Sequence, residues 1–395
     1  MTSQTTRTGN YRWRILCLFF LATTINYIDR QIIAILKPFI AKDLGWSEAD
    51  YGFIITGFQV AYAVGMLLTG WFLDKFGTRI GYLWSIVIWS MAAMGHALAR
   101  SVYGFIAARF FLGLGESANF PASVKGVAEW FPKKERAFAT GLFNSGSTVG
   151  AILAPIIVSA ITVTLGWRMA FVITGSFGIL WIILWVLFYR HPTRHPRLTK
   201  AELDYINQDV QEDTKGKGIG WKELFRYKQT ITICATRFIS DWVWWFILFW
   251  VPDFLAKTQE VDIKGLIMPL IIIYAIASVG GIGGGWLSSK FINMGKSVDY
   301  ARKAAIFLSA VMVLPLILVS YTQNLWLAVI LIALAAAGHQ SWASNIFTIV
   351  PDIYPGNAVG SMMGLCGFAG AIGGALSASF IGIVIQITHS YALVF

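Results

Sequence analysis

Asp29 and Arg30, Arg109 and Glu116, and Arg237 and Asp241 are ionisable residues inside stretches that are otherwise almost wholly apolar. A charge in such surroundings is costly, so each marks a place where a ligand, a proton or another charge is handled. Arg30 follows Thr23, Asn26 and Tyr27 at the i, i+3, i+4, i+7 spacing that puts all four on one helical face. A guanidinium is permanently charged, and its planar fork matches a carboxylate with two hydrogen bonds. Arg30 is therefore the expected holder of an organic acid; the plainer alternative is a structural pair with Asp29 or with another helix. Asp29 and Glu116 are the expected proton carriers, because a carboxyl group taken out of water can load and release a proton near neutral pH. Arg109 precedes Glu116 by seven residues, about 10 Å along a helix axis at roughly 1.5 Å per residue and on nearly the same face. It joins them as a coupling residue, with a permanent Arg–Glu clamp as the alternative.

The elements that must position these residues follow from composition. Of 395 residues, 56% are hydrophobic and only 13% charged, and the mean hydropathy is +0.64. Apolar runs of about 20 residues, each enough to cross a bilayer as a helix, fall at about 15–37, 51–73, 80–99, 102–124, 137–164, 168–189, 230–256, 265–289, 304–322, 324–349 and 357–388. Eleven spans of an all-α membrane protein are expected. The net charge of +11 does not imply a nucleic-acid partner, because the basic residues sit in alternate short loops. That alternation places the N-terminus and the 190–229 segment in the cytoplasm. Arg7, Arg12 and Arg14 precede the first run, which is too long for a signal peptide and is expected to be retained.

The polar stretch 190–229 separates six spans from five, and within it Thr199 with Glu202 three residues on predicts a capped helix. The expected organisation is a first bundle over 1–189 (helices 1–6), a cytoplasmic linker over 190–229, and a second bundle over 230–395 with helices 7–11. The start of a twelfth helix is expected at 389–395, its remainder missing or truncated. Internal repetition supports two related halves. Gly70-Trp-Phe-Leu-Asp74-Lys75-Phe-Gly77 follows the second run, and Gly285-Trp-Leu-Ser-Ser289-Lys290-Phe-Ile292 follows the eighth. Cys17, Cys234 and Cys366 are too scattered for a disulfide framework or a metal cluster. No metal-binding histidine pair, nucleophile elbow or phosphate loop speaks for an enzyme, and no cofactor is expected. A linker of about 40 residues is too short for a signalling domain, although a membrane receptor built on a transporter fold is compatible with the sequence.

Gly70-x-x-x-Asp74-Lys75-x-Gly77-x-Arg79 resembles the loop signature of the major facilitator superfamily, and Arg109-Phe-Phe-Leu-Gly113-Leu-Gly115-Glu116 its fourth-helix motif. Asn26-Tyr27-Ile28-Asp29-Arg30, Glu129-Trp130-Phe131-Pro132-x-x-Glu135-Arg136 and Phe143-Asn144-Ser145-Gly146-Ser147 are similar to the anion:cation symporter family. Arg237-Phe238 with the tryptophan-rich seventh helix, and Gly338-His339-Gln340, resemble its hexuronate branch. The resemblance implies two pseudo-symmetric six-helix bundles in a bacterial inner membrane. A monomer would import a hexuronate such as glucuronate or galacturonate with protons by alternating access. An aldonate or other organic-anion symporter and an organic-phosphate exchanger are the rival readings. For a sugar acid, Tyr27, Tyr62, Asn26 and Trp245 are expected contacts, with His339, Gln340 and Asn345 as a polar face of the tenth helix. Ser147, a further expected contact, stands where aldonate-transporting members tend to carry glutamine. Gly70, Asp74, Lys75, Gly77 and Arg79 are the expected gating loop, in which the glycines permit a tight turn. Its counterpart in the second half has Ser289 where an Asp is expected.

Overall fold

In hydrocarbon every backbone N–H and C=O must be satisfied within the segment, which leaves apolar runs of this length one form, the α-helix. The computed structural model describes residues 9–208, 221–258, 261–354 and 356–395, without the side chains of residues 70, 71, 74, 133, 134, 137, 221, 222, 351, 352 and 356–360. Among the described residues all regular structure is helical. The first set comprises α1 (Tyr11–Leu44), α2 (Glu48–Gly95), α3 (Val102–Glu116), α4 (Asn119–Trp130), α5 (Lys133–Leu165) and α6 (Trp167–Phe188). Two short helices, α7 (Lys200–Ile206) and α8 (Trp221–Leu224), lie in the linker. The second set comprises α9 (Lys228–Phe249), α10 (Val251–Thr258), α11 (Ile267–Asn293), α12 (Val298–Val313), α13 (Leu325–Ile353) and α14 (Gly356–Thr388).

Ten helical segments among the described residues are long and apolar enough to cross a membrane, against eleven expected runs. The difference is the fourth. Its run divides into α3 and α4 at Ser117–Ala118, where the Ala118 N–H reaches only back to Gly115 O (3.4 Å) and the Ser117 hydroxyl donates to Leu114 O (2.7 Å). Such a local 3₁₀-like tightening turns the helix without breaking it. Spans two and three form one assigned helix, interrupted at Gly77 with φ 75° and ψ 161°, a conformation open in practice to glycine alone. Residues 389–395 form a turn in which Tyr391 and Phe395 pack edge-on against Phe254.

Within the first set α2 packs on α3 and α6, and α1 on α5 and α6; within the second α11 and α12 pack on α13, and α9 on α14. Between the sets α2 meets α14 and α5 meets α11. The second span of one set thus meets the fifth of the other, twice, which is the relation a duplicated unit produces. Small residues make the approach within a set possible. A side-chain carbon added at Gly150 would lie 2.4 Å from the Thr24 carbonyl, and one at Gly146 2.5 Å from the Phe20 carbonyl, so the Gly146-x-x-x-Gly150 spacing seats α5 on α1. The linker is tied to the first set. Thr199 caps α7 by accepting from the Glu202 N–H (3.2 Å), as the sequence predicts. Buried Arg12 pairs with Glu135 (3.0 Å) and Glu202 (3.5 Å), and the Tyr205 hydroxyl donates to Glu135 (2.7 Å).

Candidate functional site

The stripe on α1 is directed into the protein: Thr23, Asn26 and Arg30 are buried and Tyr27 is half-buried. Arg30 does not pair with Asp29. Its Nε and Nη2 both donate to Glu116 Oε2 at 3.0 Å, and Nη2 also reaches Asn26 Oδ1 at 3.3 Å. The last turn of α3, just before the Ser117–Ala118 bend, is what delivers Glu116. Four rings surround the guanidinium, with Cζ 4.9 Å from the Tyr62 ring centre, 5.0 Å from Tyr27, 5.3 Å from Phe58 and 5.8 Å from Trp245. Three rings come from the first set and Trp245 from the second, so Arg30 stands where the two sets meet. Burial of this kind strengthens a cation's attraction to ring faces, which is worth about 2 kcal/mol or more when desolvated.

Arg109 is fully buried but bonds elsewhere than the sequence suggests. Both Nη atoms lie 3.4 Å from the Arg30 carbonyl oxygen, so it braces the α1 backbone. Asp29 is buried, with neither carboxylate oxygen hydrogen-bonded to protein. Glu116 Oε1 and Asn26 Nδ2 are likewise without a partner in the protein.

The second set carries its own charged group. Arg237 Nε lies 3.1 Å from Asp241 Oδ2, and His339 Nε2 lies 3.4 Å from Asp241 Oδ1. Trp244 stacks on His339 at 5.7 Å and 12°. The Asp241 carboxylate sits where α14 has no side chain: a carbon added at Gly370 would lie 2.0 Å from Oδ2.

Other expected contacts are placed differently. The Ser147 hydroxyl donates to the Asn144 carbonyl of its own helix (2.7 Å). Asn345 is fully buried, and its amide donates to Gly284 O (3.1 Å) and Ser341 O (2.9 Å), which fastens α13 to α11. Gln340 is half-buried on the side of α13 facing Gly281. Of the gating loop, Gly77 makes the turn expected of it, exposed Lys75 lies 5.4 Å from the Phe76 ring, and Arg79 accepts a bond from Trp185 Nε1 at its carbonyl (2.9 Å). The surroundings of Gly70 and the side chain of Asp74 lie outside the described residues.

One charged group went unrecognised as a site. Lys37, fully buried, donates to Glu48 and to Asp253, and Asp253 also accepts from Tyr391. Lys37 is the last residue of the first apolar run and Glu48 lies in the short polar segment after it, so neither stands out in the sequence. The available signal was Asp253 itself, a carboxylate inside an apolar run.

A duplicated helical bundle with ionisable groups held between its halves is the design of a membrane transporter, not of an enzyme. The Major Facilitator Superfamily model matches residues 19–378, and the chain belongs to that superfamily. Among curated proteins it is similar to the hexuronate transporter of Escherichia coli (strain K12), 32% identical over 94% of this chain and 87% of that one. The galacturonate transporter of Dickeya chrysanthemi is 32% identical over 77% of this chain and 89% of that one. A probable galactarate/D-glucarate transporter of Bacillus subtilis (strain 168) is 30% identical over 97% and 88%. Two solved structures share the fold. A bacterial homologue of the lysosomal transporter Spinster has TM-score 0.78 and 22% identity over 96% of this chain and 86% of that one. A D-xylose-proton symporter has TM-score 0.74 and 16% identity over 95% and 90%.

Proposed function

We propose that this protein imports a sugar acid, a hexuronate such as glucuronate or galacturonate, together with protons across a bacterial inner membrane. The Arg30–Glu116 pair within its ring of aromatics carries the reading. Arg30 is a fixed cation suited to a carboxylate, and Glu116 is the acidic group that holds it meanwhile. Protonation of Glu116 frees the guanidinium for the substrate, and loss of substrate returns it to Glu116. Tyr27, Tyr62 and Trp245 offer ring faces and polar edges to the sugar. Trp245 Nε1 and Asn26 Nδ2, buried without protein partners, add donors for hydroxyl groups. The names of the relatives support the substrate class. In this reading residues 1–189 and 230–395 rock as two bundles of a monomer about the midplane, with the N-terminus and linker in the cytoplasm.

A second reading, transport of a sugar diacid, is favoured by Arg237. It is a second guanidinium, beside Asp241 on α9, and its Nη1 is buried without a protein hydrogen bond. The deciding experiment is uptake of labelled glucuronate into proteoliposomes with and without an inward proton gradient, competed by galacturonate, galactonate, galactarate and glycerol phosphate. Gradient-driven uptake blocked by galacturonate establishes the hexuronate reading. Competition by galactarate alone establishes the diacid, and indifference to every sugar acid refutes both.

A further inference from the structure

At the end of the molecule remote from the linker, four charges and a phenol from both halves close into one network. Lys37 near the end of α1 and Glu48 at the start of α2 belong to the first set; Asp253 and Lys257 of α10 belong to the second. Lys37 bridges Glu48 and Asp253, Lys257 pairs with the same two carboxylates, and Tyr391 donates to Asp253. The centre is dry. The side chains of Lys37 and Asp253 are 1% and 0% exposed, whereas Lys257 is 42% exposed at the rim. The rings of Tyr51 and Trp250 lie 4.9 and 5.2 Å from the Lys37 ammonium, and the Tyr51 hydroxyl donates across to Phe249 O at 2.7 Å.

We infer that Lys37 and Asp253 form the gate that seals the transport cavity on the side away from the linker, and that parting them admits the substrate. Hydrogen bonds lose their strength within a few tenths of an ångström beyond about 3.2 Å, so the halves cannot separate at this end with the network intact. Its chemistry suits a contact that must break repeatedly. A buried ion pair gains little over an apolar contact of the same shape, because both charges gave up water to make it. When the halves part, that water returns to both. An apolar seal at the same place would be at least as tight closed and would be penalised when wetted. The gate thus contributes closure specificity while keeping the open state accessible.

Alternating access comes from the proposed function, but the test needs no sugar acid. Ile55 lies on α2 four residues from Tyr51, fully buried, and is replaced by cysteine in a protein whose Cys17, Cys234 and Cys366 are serine. A membrane-impermeant maleimide is then applied to whole cells from outside. Asp253→Asn and Lys37→Gln, which each break the central pair between the halves and leave the remaining charge buried with fewer partners, are expected to raise the labelling rate about tenfold or more. Lys37→Met combined with Asp253→Leu, which replaces the pair by apolar side chains, is expected to lower it below that of the parent. The opposite signs separate a gate from a merely structural contact. Unchanged labelling in both single variants, or faster labelling in the double variant, overturns the inference. If the labelling pattern holds and the parent takes up no sugar acid, the substrate reading fails and the gate stands.

Discussion

Arg30 and Glu116 meet through a single oxygen. Both guanidinium donors converge on Glu116 Oε2 at 3.0 Å, while Oε1, equally buried, has no hydrogen-bond partner in the protein. A bidentate fork would use both oxygens. The pair therefore leaves one acceptor on the acid unsatisfied, the position at which a proton is most readily taken up.

Arg30→Ala is expected to abolish substrate binding. Truncating one partner of a buried, hydrogen-bonded charge pair in binding costs about 2–5 kcal/mol, a factor of about thirty to several thousand in affinity. Arg30→Lys keeps the charge and loses the fork, so it should recover only part of the loss. Equilibrium binding of glucuronate to the purified protein, with circular dichroism as a check on folding, measures both.

Glu116→Gln is isosteric and removes the charge. It should preserve exchange of labelled for unlabelled substrate while abolishing accumulation against a gradient. Counterflow and gradient-driven uptake in the same proteoliposomes separate these outcomes, and accumulation by the variant would refute Glu116 as the proton carrier.

How far these residues were legible in the sequence depends on what kind of information each required. Arg30, Glu116 and Asp241 were visible because a charge inside an apolar run violates the composition around it. Their partners were not, since pairing depends on which helices lie side by side. Arg109 shares a face with Glu116 along one helix, yet it turns to the α1 backbone once α1 packs there. Lys37 gave no signal for a related reason. It stands at the end of an apolar run, where a loop charge is the ordinary reading, and only Tyr51 and Trp250 closing over it make it an interior residue. The bend at Ser117–Ala118 did leave a trace: Pro121, in the first turn of α4, has no N–H to bond back to the Ser117 carbonyl, so an apolar run read as one helix is interrupted there.

His195 provides a pH test outside the membrane-spanning segments. It packs on Tyr11 at 4.3 Å and on Trp130 at 5.5 Å. Burial pushes its pKa down, with Arg190 and Arg197 adding to the fall. A histidine whose pKa is lower in the docked state binds fewer protons there than when released. Docking is then fully supported above its ordinary pKa of about 6.5 and weakens as the pH falls below it. Limited proteolysis of the linker should accelerate between about pH 7 and 5.5, and His195→Phe should flatten that dependence. An equal acceleration in the variant would place the sensitive group elsewhere.

Arg237→Gln distinguishes the two substrate readings. If the second guanidinium receives a second carboxylate, the variant should raise the half-saturating concentration of galactarate by about tenfold or more, as expected for a lost charge-assisted hydrogen bond of 1.5–3 kcal/mol. Glucuronate, which brings one carboxylate to Arg30, should change by less than about threefold, within the range of a lost neutral bond. Equal losses for both acids would mean that Arg237 works through Asp241 and His339, setting the shape of α9 against the Gly370 cleft and not touching the substrate. Gly370→Ala supplies the control for that outcome. The added carbon would lie 2.0 Å from Asp241 Oδ2 and 3.3 Å from Arg237 Nε, so it displaces the pair without removing a charge. A variant with galactarate and glucuronate uptake impaired alike, and with melting lowered by an overpacking cost of about 1–3 kcal/mol, would mark the cluster as a positioning device. Selective loss in Arg237→Gln alone would make it a second anchor for the acid.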